Sequence, residues 1–192
     1  MTFFDRAVNV ARVIENEPRT KNRNDYWKGS KLNEIRKMAP ATKGRFGEQV
    51  AQEYLLAAGY DVSKSKNRES DFCISMYGHP PIPIEVKTSF LWADDKNPQY
   101  KFEQIRLDYD YKILLCLAFS YDNVKLYTFA KNGNFSINRL LSEGILVKQH
   151  GNANYWFSIY ENSNAEWHQD GYIPTAINFV AMFYRQFVFS SK

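Results

Sequence analysis

The sequence is poor in the side chains that build metal cages and covalent nucleophile sites. It holds two cysteines and three histidines in 192 residues. Cys73 and Cys116 each lie inside an apolar, strand-like run, and CxxC spacing is absent. Buried thiols are therefore expected, with neither a disulfide nor a thiolate metal site. His79, His150 and His168 are scattered without HxxxH or HxE spacing, which argues against zinc. No serine sits in GxSxG and no glycine-rich loop could cradle a phosphate. No apolar run reaches membrane-spanning length, and the first residues lack the uninterrupted apolar stretch of a signal peptide. A cytoplasmic location with no membrane association is the expectation. Residues 149–184 contain neither lysine nor arginine, and no internal repeat or low-complexity segment interrupts the chain.

What is present is a foldable, aromatic-rich chain with an uneven charge distribution. At 44% hydrophobic and 16% aromatic residues it can bury a sizeable core. The formal net charge is only +4, but basic side chains crowd residues 19–45. Arg19, Lys21, Arg23, Lys28, Lys31, Arg36, Lys37, Lys43 and Arg45 stand there against Asp25 and Glu34. Such a segment is either a solvated face or the footprint of a phosphate-backbone binder.

Periodicity suggests an α/β fold with a central mixed β-sheet flanked by helices. Residues 3–16 space their apolar side chains as an amphipathic helix, and Leu32, Ile35 and Met38 mark a short one. A clearer helix is expected from Arg45 to Ala58, opened by Thr42-Lys43-Gly44 and closed by Gly59, with Glu48 in its first turn. Strands follow at 60–62, 71–76 and 82–90, the last two joined as a hairpin by Tyr77-Gly78-His79-Pro80-Pro81. After a polar 91–99 loop come a short strand at 100–105 and a turn at 106–109. The run from Tyr111 to Phe119 reads as a central strand covered on both faces, and Val124 to Phe129 as its neighbour. A second hairpin is expected from 145–149 and 155–160, and Pro174 opens a terminal helix to about Val188. Together these give one domain over 1–192. Its core spans about 44–130, with a basic helical N-terminal extension over 1–43 and a hairpin and helix over 131–192.

The candidate chemistry lies in three charges. Ile84-Glu85-Val86-Lys87-Thr88 reads as a buried strand that nevertheless carries a carboxylate and an ammonium. Glu85 and Lys87, two apart, share one face. With Asp71 at the start of the neighbouring strand, two carboxylates and one amine converge. Asp71 and Glu85 are hard oxygen donors suited to Mg²⁺, with the Val86 carbonyl as a third donor. Lys87 would orient or deprotonate a water, or stabilise charge at a phosphorus centre. The alternative is a surface ion pair, with Ile82, Ile84 and Val86 forming the only buried face. Glu48 is either a further metal ligand or a first-turn acid serving the helix dipole.

The order Glu48 on a helix, Asp71 at a strand start and Glu85-x-Lys87 after a hairpin resembles the PD-(D/E)xK nuclease superfamily, over about residues 44–130. Phe102-Glu103-Gln104-Ile105-Arg106 looks like the glutamine-bearing element that many such nucleases place after the lysine. Asp108-Tyr109-Asp110-Tyr111 is also similar to a step found in small restriction-like proteins. Ser70 stands where the family's proline would precede Asp71. The resemblance implies a restriction-endonuclease-like core and Mg²⁺-dependent hydrolysis of DNA, with Mn²⁺ able to substitute. It implies Asp71, Glu85, Lys87, Glu48 and Gln104 as site residues.

Arg68, Lys43, Arg45, Ser89 and Arg106 are candidate DNA contacts, with phosphate contacts expected in residues 19–45 and base readers there or in the 91–101 loop. A type II restriction-like homodimer, with a DNA methyltransferase encoded nearby, is the expected setting. A junction-resolvase-like nuclease and a catalytically silent DNA-binding module are the alternatives.

Overall fold

The computed structural model describes residues 25–66, 68–75, 80–92, 98–121, 123–132 and 136–161. The expected helices at 3–16 and 174–188, the tip of the first hairpin, His79, His168 and residues 93–97 of the 91–101 loop lie outside these residues. A 3₁₀ turn at Asp25–Trp27 leads into helix α1, Asn33–Arg36, and the long helix α2, Pro40–Ala57. Strands β1 (Asp61–Lys64), β2 (Phe72–Ser75), β3 (Ile82–Phe90), β4 (Gln99–Arg106), β5 (Ile113–Phe119) and β6 (Val124–Ala130) follow. Helix α3 (Ile137–Ser142), β7 (Val147–Lys148) and β8 (Asn154–Tyr160) end the described chain. No described helix is long and apolar enough to cross a membrane.

The expected central mixed sheet is present, in the order β1-β2-β3-β5-β6. β3 and β5 run parallel, and the other neighbours are antiparallel. All seven residues of β5 are buried, as its continuous apolar run predicts for a strand covered on both faces. The chain between β3 and β5 departs to a second, three-stranded sheet, β4-β8-β7. Five of the eight residues of β4 are exposed or partly so, which suits a strand with one solvated face.

Three layers result. On one side of β3, α2 buries Phe46, Val50, Ala51, Tyr54 and Leu55. The Phe46 ring lies 6.4 Å from that of Phe90 and 5.1 Å from that of Phe119. On the other side lies the second sheet. There the Ser89 hydroxyl accepts from the Lys101 N–H at 2.9 Å, and Phe157 meets Phe129 edge-on at 5.5 Å.

Two sequence expectations need correction here. Helix α2 begins at Pro40, not near Arg45, because proline at the first helical position has its φ preset and needs no N–H partner. The core boundary at 44 therefore falls inside a helix. Within residues 25–39, Trp27, Leu32, Ile35 and Met38 are buried in the common core. Gly59 does close α2 as expected, with φ +89. α3 has no counterpart among the sequence expectations. Its N-cap Ser136 accepts from the Arg139 N–H at 3.1 Å.

Candidate active site

Glu85 and Lys87 share the face of β3 that looks toward the second sheet. Ser89, on the same face by the two-residue alternation, is the residue that ties β4 down. The Lys87 ammonium lies 2.5 Å from Glu85 Oε1. Glu85 is only 6% exposed, and Ile84 and Val86 on the opposite face are buried as well. The surface ion-pair alternative required that face to be solvated, and it is not.

Asp71 is placed by backbone contacts. It stands one residue before β2, where Phe72 pairs with Ile84 of β3. Its N–H donates to the Ile84 carbonyl at 2.9 Å, and its Oδ2 accepts from the Val86 N–H at 2.7 Å. The side chain is therefore hooked onto β3 beside Glu85. The β2–β3 hairpin register fixes which residues become neighbours here.

Glu48 joins this group through a close helix–strand contact. Gly47 of α2 presses on Thr88 of β3, and a methyl group on Gly47 would fall 1.7 Å from Thr88 Oγ1. Only a residue without a side chain permits that approach, and Glu48 comes next in the chain. Because α2 starts at Pro40, Glu48 lies about two turns inside the helix. The first turn of α2 holds no acid, which removes the helix-dipole account of Glu48.

The electrostatics match this crowding. Burial pushes the Glu48 carboxyl above its usual range, and the Asp71 and Glu85 charges push it further. Burial also raises Asp71, opposed by the Val86 N–H and the Lys87 charge. Glu85 is raised by burial and by Asp71, with Lys87 opposing. Three carboxylates thus crowd around the Lys87 ammonium, with the Arg45 charge also acting on Glu48, leaving surplus negative charge in a half-buried site. Among the described residues no group of three or more histidine, cysteine, aspartate or glutamate side chains is placed so that it could hold a metal ion.

The other predicted residues scatter. Gln104 is exposed on β4 and takes part in none of the hydrogen bonds of the carboxylate cluster. Its backbone is left-handed, φ 58, at a register shift between Phe102 and Ile105. Ser89 is buried, and its hydroxyl accepts from the Lys101 N–H. Arg106 grips Asp108 through two hydrogen bonds, at 2.9 and 2.6 Å, and lies over the Tyr109 ring. Arg45 and Arg68 are exposed. Lys43 is half-buried, and burial together with the Arg36 charge pushes its ammonium down.

No protein-family model matches the sequence, and no curated protein matches it. Among solved structures, the chain is similar to the bacterial homing endonuclease I-Ssp6803I. The identity is 18% and the TM-score 0.45, over 67% of this chain and 80% of that one.

Proposed function

We propose that this chain is a divalent-metal-dependent DNA endonuclease of the PD-(D/E)xK type. One observation carries the reading. The half-buried Asp71 carboxylate is hooked onto β3 by the Val86 N–H, beside the buried Glu85 carboxylate that pairs with Lys87. The donor set suits a hard cation, since it offers carboxylate oxygens and excess negative charge without thiolate or imidazole. Asp71 and Glu85 would hold Mg²⁺ or Mn²⁺, with the Val86 carbonyl and Glu48 as further donors. Bound there, the cation would screen the phosphate and make water a better nucleophile near neutral pH.

The chain's own residues do the rest. The Val86 N–H holds Asp71 in one orientation, so little reorganisation is needed when substrate arrives. Lys87, released from Glu85, has protons to donate to a non-bridging phosphate oxygen or with which to orient the attacking water. The exposed Arg45 and Arg68 and the half-buried Lys43 are proposed phosphate contacts, reporting position more than sequence. The finer reading is a type II restriction-like enzyme acting inside the cell as a homodimer, because a palindromic double-strand cut needs two sites.

The test is digestion of plasmid and of branched DNA with Mg²⁺, Mn²⁺ or EDTA, followed by end mapping. Discrete metal-dependent fragments support the restriction reading. Preferential cutting of branched DNA overturns the restriction reading but keeps the nuclease. No cleavage across metals, or unchanged cleavage in Asp71→Ala and Glu85→Ala, refutes the site.

A further inference from the structure

The site contains a buried hydroxyl without a partner. Tyr111 is 0% exposed, and its Oη makes no hydrogen bond. A buried phenol left in that state is unfavourable compared with phenylalanine, which fills nearly the same volume without the polar atom. The ring is held firmly. Lys131 Nζ lies 4.9 Å from the ring centroid and donates to the Tyr109 carbonyl. Next to Tyr111, the Lys112 N–H donates at 2.9 Å to Pro83, two residues before Glu85. The Asp110 N–H donates at 2.9 Å to Glu69 Oε2, in the loop that leads into Asp71. These ties hold the backbone on either side of Tyr111 against β3 and the loop into Asp71, and burial, then the Glu85 charge, keep the phenol protonated.

Glu85 offers an acceptor. Its Oε1 accepts from Lys87, and no described residue donates to Oε2. Tyr111 Oη, by contrast, is a buried donor without an acceptor. A turn of the carboxyl group, or one bridging water, would join them.

We propose that Tyr111 is a positioning residue for Glu85: its hydroxyl donates to Glu85 Oε2 and fixes the carboxylate plane when Lys87 leaves to serve the substrate. This rests on the metal-nuclease reading of the same site. Tyr111 itself touches neither cation nor DNA.

The experiment compares wild type with Tyr111→Phe in three measurements: Mn²⁺ binding by calorimetry without DNA, kcat and KM for DNA cleavage, and Tm. Loss of a partner that orients a ligand lowers metal affinity or activity by about 10-fold or more. The expected result is Mn²⁺ affinity and kcat reduced to that extent, KM for DNA little changed, and Tm equal to or above wild type. Mn²⁺ affinity and kcat within about twofold of wild type would refute the positioning role while leaving the nuclease reading intact. A fall in Tm with both activities lost in proportion would make Tyr111 a packing residue and also refute it. Wild type that neither binds Mn²⁺ nor cuts DNA overturns both readings together.

Discussion

Replacing Gly47 with alanine tests the contact that brings Glu48 to the site. The change has two opposed effects. In a helix interior alanine is favoured over glycine by about 1 kcal/mol. Against this, the new Cβ would meet Thr88 Oγ1 at 1.7 Å, Cβ at 2.9 Å and Cγ2 at 3.1 Å. The first distance is about half of an ordinary carbon contact, and rotating Thr88 leaves the Cβ clash in place. Helix α2 must then retreat from β3, and overpacking of this kind costs about 1–3 kcal/mol, occasionally more. The clash wins, with a net loss of up to about 2 kcal/mol, or a Tm decrease of several degrees at about 2–4 °C per kcal/mol. Cleavage should fall further than stability alone explains, because Glu48 moves with the helix. Gly44, in the same helix, has nothing within 4 Å of the position a methyl group would take, so Gly44→Ala supplies the propensity gain without the clash. Adding Thr88→Ala to Gly47→Ala removes the two atoms at 1.7 and 3.1 Å and should restore part of the loss. Urea unfolding and plasmid cleavage read both effects. If Gly47→Ala is stabilised as much as Gly44→Ala and cuts as well as wild type, α2 does not pack on β3 as described.

Other outcomes follow from the same structure. Glu48, Asp71 and Glu85 have raised pKa values, so the folded chain holds their protons more tightly than the unfolded chain. Without divalent cation their contribution is full below the ordinary carboxylate range and is lost as pH rises through the raised values. Adding Mg²⁺ near neutral pH should recover Tm, and Asp71→Asn should flatten the pH dependence and abolish that recovery. A Tm unmoved by Mg²⁺ would count against a cation at this site. Gln104→Gly should relieve the left-handed strain and add about 1 kcal/mol in urea unfolding, and a loss would show that its side chain makes stabilising contacts. Ser136→Ala should cost about 1 kcal/mol by uncapping α3, and a neutral result would mean that the cap at 3.1 Å contributes nothing.

The parts of this structure that local pattern can encode are readable from the sequence. β3 matches its expected span because the Gly/Pro turn before Ile82 and the polar loop after Leu91 bound it, and β5 because seven apolar residues in a row need cover on both faces. The pairing of Glu85 with Lys87 follows from the two-residue repeat of a strand. Long-range pairing is less accessible. Tyr100–Ile105 reads as a strand, but its partner β8 lies some fifty residues away, and no local repeat announces a second sheet. Pro40 marks the true start of α2, and placing that start near Arg45 instead puts Glu48 in a first turn where it does not lie. Tyr111 reads only as the beginning of an apolar run, because a hydroxyl's lack of a partner is a property of packing.

The balance of charge separates this cluster from an ordinary buried ion pair. A pair kept only for structure could be replaced by apolar residues of similar volume at little cost or with some gain. The surroundings of β3 already supply the apolar context, with Ile84, Val86, Leu114 and Cys116 all buried. Lys87 neutralises at most one of the three carboxylates that sense each other there, and burial disfavours the charged form of all three. Retaining Asp71 and Glu48 beside Glu85 therefore works against the stability of the unliganded fold. Bringing them together also requires a glycine in the middle of α2, which lowers that helix's own stability. Two local sacrifices that converge on one spot favour a role in binding positive charge, and the return should appear as metal-dependent stability in wild type that is missing from the variants that lose cleavage.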